Sequence, residues 1–134
     1  MKLAAIVAMT LLAACDAFAP ARPAGPARWF LPPDAQIGPE TTAFAALVME
    51  VNCASGQSSQ DRIVGPEISY AADQVVVTFA VRPLPGEVQD CQGNPATAVT
   101  VTLKEPLGER RLVDGGADPS REPPVCAEPQ FCGP

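Results

Sequence analysis

Apolar and polar positions alternate most clearly in Gln74-Val-Val-Val-Thr-Phe-Ala-Val81. Val75, Val77, Phe79 and Val81 fall on one side of an extended chain, and Val76, Thr78 and Ala80 on the other. No charge interrupts the run before Arg82, so it predicts a central strand with both faces at least partly covered. Upstream, Leu47, Met49, Val51 and Cys53 alternate with Val48, Glu50 and Asn52, which predicts a strand running into a cysteine. A helix over Glu40 to Met49 is the alternative, and the β-branched residues Val48 and Val51 count against it.

Ala54 to Asp61 is small and polar and reads as a loop, with a short strand over Arg62–Val64 ended by Gly65-Pro66. Ile68 and Tyr70 then lead through a turn at Ala71–Gln74 into the central run, which predicts a hairpin. After a long loop, Pro83 to Pro95, the residues Val99, Val101 and Leu103 alternate with Ala98, Thr100 and Thr102. Pro106 and Gly108 suit a tight turn, which predicts that Arg110–Val113 returns beside that strand and ends at Asp114-Gly-Gly116. Five or six short strands and no long helix predict an all-β fold, a small antiparallel β-sandwich or partly open barrel stapled by disulfides.

The first 39 residues follow different rules. Lys2 precedes a short apolar stretch, Leu3 to Leu12, which fits the hydrophobic region of an export signal better than a permanent membrane span. Leu12-Ala13-Ala14-Cys15 comes next and resembles the lipobox of bacterial lipoproteins. The resemblance implies a signal peptide over 1–14, cleavage before Cys15, and a diacylglycerol thioether with amino-terminal acylation on that cysteine. Several acyl chains on one residue give durable anchoring. Ordinary secretory cleavage after Ala17-Phe18-Ala19 is the competing reading, and Pro20 directly after the cut disfavours it.

Residues 15–39 carry six prolines after Cys15, which predicts an extended spacer between the anchor and the β domain. Trp29-Phe30-Leu31 interrupts it. These residues either fold back onto an uncovered sheet face, the preferred reading, or form a docking motif for a partner or the lipid interface. The expected organisation is thus signal 1–14, lipidated cysteine and linker 15–39, β domain 40–116, and a proline-rich tail 117–134.

With Cys15 committed to lipid, Cys53, Cys91, Cys126 and Cys132 remain, an even number in an exported chain. Of three possible connectivities, Cys53–Cys91 and Cys126–Cys132 are preferred. The second closes a short loop in a tail otherwise too rich in proline to pack. A core this small needs such staples.

Composition narrows the chemistry. From Cys15 onward the chain holds eight basic and fifteen acidic residues, with no footprint for nucleic acid. The chain has no histidine and therefore no imidazole base or Ser-His couple. Glu105 with Glu109 and Glu67 with Asp73 are the carboxylate pairs to weigh for hydrolysis, and their places beside turns suit solvated charge better. Asp114-Gly-Gly-Ala-Asp118 lends at most two carboxylates to Ca²⁺, which needs six or more oxygens. No cofactor or metal is expected. Arg110 and Arg111 with Lys104, opposite Glu105 and Glu109, are expected to form ion pairs at a hairpin tip.

The course from Cys91-Gln-Gly-Asn-Pro95 through Val99–Leu103 to Glu105-Pro-Leu-Gly108 resembles small exported proteins of high-GC bacteria, and that resemblance implies no activity. The expected function is that of a non-catalytic binding or accessory lipoprotein, held on the membrane facing the periplasm or cell exterior and partnered with an envelope protein. The alternatives are a small-ligand or cation carrier using the loops Pro83–Pro95 and Asp114–Asp118, and a carboxylate hydrolase.

Overall fold

The computed structural model describes residues 22–86, 88–128 and 132. The signal stretch 1–14 and Cys15 lie outside the described residues. Six strands form: β1 (Gly25–Phe30), β2 (Ala43–Glu50), β3 (Ile63–Tyr70), β4 (Gln74–Val81), β5 (Thr97–Thr102) and β6 (Arg111–Asp114). The fold is all-β, a curled, mostly antiparallel sheet forming a half-open barrel.

β4 is its centre. Val75, Val77, Phe79 and Val81 are fully buried, and the alternate residues are half-covered. β3 pairs with one edge in the expected hairpin, closed where the Ala71 N–H donates to the Gln74 carbonyl. Gly65-Pro66 does not end β3; it forms a bulge within it, where the register shifts between Val64 and Glu67. The other edge of β4 is shared. β6 runs parallel along Gln74–Val77, and β1 runs antiparallel at Ala80–Val81. From Ala27 onward β1 departs and pairs with β2, which pairs in turn with β5. The curl therefore passes through β1.

Three expectations are corrected. The stretch read as spacer joins the sheet at Gly25, and the sequence explains why: Ala27–Leu31 is a proline-free window between Pro26 and Pro32. Its residues keep their N–H groups and can complete a ladder. β6 does not return beside β5. The intervening loop instead donates from Leu107 and Gly108 to the carbonyls of Thr41 and Pro39, carrying the chain across to β4. The tail also packs: Arg121 bridges Asp114, and Val125 bridges Leu31.

The interior is built from Ala27 and Trp29 of β1, Phe44, Ala46 and Val48 of β2, the buried face of β4, and Val101 and Leu103. The Trp29 and Phe44 rings lie 5.6 Å apart at a 30° tilt. A second, smaller cluster sits on the outer face of β1 and β2. There Phe30 and Leu47 are covered by Cys126 and Cys132, with Met49 and Ala96 against them.

Candidate functional site

Where β1 leaves the edge of β4 that β6 occupies further along, backbone groups would be left without ladder partners. Asp114, only 1% exposed, fills the fork. One carboxylate oxygen accepts the Trp29 N–H at 3.2 Å and the other accepts the Gly116 N–H at 2.9 Å. The Trp29 indole N–H donates to the Val77 carbonyl at 2.9 Å, which also accepts from the Gly115 N–H. Burial raises the Asp114 carboxyl above the ordinary aspartate value, against the opposing pull of the Gly116 and Trp29 N–H groups and of the Arg121 and Arg28 charges. A side chain at Gly116 would collide with the Ala27 carbonyl, so this backbone approach requires glycine. The Asp114-Gly-Gly motif is accordingly a joint between strands. No cluster of three or more acidic or cysteine side chains suited to a metal gathers among the described residues.

Glu50 ends the inner face of β2, in step with Phe44, Ala46 and Val48. Its carboxylate is almost fully buried and takes a two-pronged contact from Arg62, at 3.1 and 2.6 Å. Arg62 also donates to the Arg82 carbonyl at 2.6 Å, tying the end of β2 to the start of β3 and the end of β4, which are not its sheet neighbours. The period-two phase of Phe44, Ala46 and Val48 carries this signal in the sequence.

That second phase turns outward and forms a cleft of about 480 Å³ beyond the tail disulfide. Met49 and Val51 supply its apolar floor, with Cys132 on one side and Cys53–Cys91 on the other. Arg28, half-buried on β1, and Asn94, in the loop before β5, complete its wall. Arg28 makes no salt bridge among the described residues. Asn94 is 8% exposed, and its amide nitrogen donates to the carbonyls of Glu50 at 3.0 Å and Asn52 at 2.7 Å. Two acceptors on one nitrogen settle which way the amide faces. Its Oδ1 is then left as the one buried side-chain acceptor without a hydrogen-bond partner among the described residues. Volume, apolar lining and a few convergent polar groups are the ordinary attributes of a small-molecule site.

The other residues singled out from sequence have definite places. Trp29 and Phe30 are buried, at 0% and 3% exposure, and Leu31 is half-buried against the interior. Their burial matches the fold-back reading, but Trp29 and Phe30 are buried as part of strand β1 within the sheet and do not lie as a cover on one of its faces; they present no docking surface. Both preferred disulfides are present, Cys53–Cys91 and Cys126–Cys132.

Of the carboxylates weighed for hydrolysis, Glu105 is bound by Arg110 at 2.7 Å, and that hydrogen bond holds its carboxyl below the usual range. Asp73 lies 3.5 Å from Arg111, and Glu67 and Glu109 are exposed. Of the expected ion pairs only Arg110–Glu105 forms, across a loop; Arg111 pairs instead with Asp73 across the parallel β4–β6 pair, and Glu109 and Lys104 make no salt bridge among the described residues. Lys104 stacks 4.1 Å from the centre of the Tyr70 ring. Sequence reasoning passed over Arg28, hidden in the supposed spacer, and Asn94, whose only cue was its place between Cys91 and Pro95.

No protein-family model, curated protein or solved structure matches this chain.

Proposed function

We propose that this chain is a lipid-anchored, non-catalytic binding or accessory protein of the bacterial envelope, facing the periplasm or the cell exterior. The observation that carries the reading is Leu12-Ala13-Ala14-Cys15, which resembles a lipobox, upstream of a small domain whose four other cysteines pair in two disulfides. Such staples belong to oxidising compartments.

Nine residues separate Cys15 from Gly25, a span of about 30 Å in polyproline geometry. The early start of β1 thus replaces a long stalk with a short tether. Val51 and Val64 are exposed at 45% and 41%, and lie beside the end of the barrel where that tether arrives. Apolar side chains in that position suit a domain held close to the lipid interface or to a membrane-embedded partner.

The test is to purify the tagged chain from native membranes beside Cys15→Ala, and to read intact mass and co-purifying proteins. The reading expects acyl mass on the wild type, four missing cysteine hydrogens, and an envelope protein lost with Cys15→Ala. An unacylated wild-type chain would overturn the anchor.

A further inference from the structure

We propose that the cleft between the two disulfides binds an amphiphilic carboxylate that also carries a hydrogen-bond donor. The proposal rests on the binding-module reading, and its test does not need the anchor.

Each part of the ligand follows from a wall of the cleft. Met49, Val51 and the flanking disulfide sulfurs offer an apolar surface with no charge of their own. Arg28 brings a guanidinium without a salt-bridge partner among the described residues. Glu50 also lines the cleft, but its carboxylate is already engaged by both terminal nitrogens of Arg62. The available charge in the cleft is therefore positive, against a chain whose net charge is −6. A guanidinium matches a carboxylate in shape and charge, and the match strengthens where water is partly excluded.

Asn94 adds the second requirement. Its Oδ1 can only accept, and it is buried and unpaired among the described residues. A buried acceptor left unmet is unfavourable, so a ligand hydroxyl or amide N–H gains there what a plain hydrocarbon cannot, once a shift of the Asn94 side chain opens the solvent-closed Oδ1 to the cleft. A cation is disfavoured by Arg28, and an uncharged hydrocarbon leaves both polar groups unused. A β-hydroxy or N-acyl carboxylate on a medium alkyl chain satisfies all three surfaces at once.

The experiment titrates the purified, oxidised full chain with 3-hydroxyoctanoate, octanoate and octan-1-ol. Binding is followed through the Asn94 side-chain amide and the Arg28 Nε–H signals in ¹H–¹⁵N spectra. 3-Hydroxyoctanoate should bind saturably and move both signals, with octanoate and octan-1-ol each about tenfold weaker. Arg28→Gln should weaken both carboxylates about tenfold and leave octan-1-ol unchanged, while Arg28→Lys restores part of the loss. Melting curves report whether these variants are folded; if Arg28→Gln is not, the ranking of the three probes on the wild type decides. Equal affinity for all three, or shifts that bypass Arg28 and Asn94, would overturn the proposal. An unacylated Cys15 would leave the titration unaffected, so the two readings fail separately.

Discussion

The two faces of the β1–β2 pair solve the same problem by different means. Inward, Ala27, Trp29, Phe44, Ala46 and Val48 pack against β4, and covalent cross-links play no part in that contact. Outward, Phe30, Leu47 and Met49 have no second sheet to meet, and a six-residue disulfide separation places Cys126 and Cys132 over part of them. The inner face is covered by secondary structure and the outer one by a clasp. Where the clasp stops, the outer face becomes the cleft. A sheet too small to form a second layer can thus leave a concave apolar surface at the margin of its cover.

The strongest way to break the contrast is to empty each face. Trp29→Ala removes a fully buried ring and an indole hydrogen bond, and should cost about 4–5 kcal/mol, enough to unfold most of a small domain. Phe30→Ala should cost at least about 1 kcal/mol less, because its smaller cluster lies at the surface and can collapse. Urea unfolding followed by far-UV circular dichroism compares the two, and equal losses would erase the distinction between core and clasp.

The disulfides give the next effect. Replacing Cys53 and Cys91 by Ser opens a 38-residue separation, worth about 4 kcal/mol by chain entropy. Replacing Cys126 and Cys132 by Ser opens a separation of 6, worth about 2 kcal/mol. The second variant should keep the near-ultraviolet signal of Trp29 while exposing Phe30 and Leu47 to a hydrophobic dye. Loss of the Trp29 signal would show that the clasp also supports the interior.

Asp114 produces an effect similar in size to that of the clasp, and the most specific one. Asp114→Asn sets an amide NH₂ against one of two N–H donors, at a cost of about 1–3 kcal/mol. Because the folded carboxyl titrates above its unfolded value, its stabilising contribution is complete below about pH 3.9 and is lost as pH rises through the folded value. The advantage of wild type over Asp114→Asn should therefore shrink between pH 3 and 7 in urea melts. A growing advantage would mean that the two N–H donors outweigh burial.

How much of this was legible follows from the range of each signal. β4, the β3–β4 hairpin, β5 and the outward phase of β2 are marked by period-two patterns, which need only neighbouring residues. Parity left three disulfide connectivities open, and the short Cys126–Cys132 loop and the need for staples only made the observed pairing the preferred one. Arg28 and Asn94 were not legible as a site: they lie 66 positions apart, and neither has a local pattern that points to the other. Asp114 was read as a strand exit and weighed as a cation ligand, because a carboxylate beside two glycines looks the same in both settings. Only the parting of β1 from β4 reveals the N–H groups it satisfies.

The sequence by itself determined the all-β class and the positions of five strands, with the two cross-links and the burial of Trp29 and Phe30 only as preferred outcomes. Tertiary structure alone decided that β1 sits between β4 and β2, that β6 runs parallel to β4, and that the tail clasps the outer face. The physical reason is that alternation records whether a residue is covered, whereas strand order depends on which distant edges still have unpaired N–H and C=O groups.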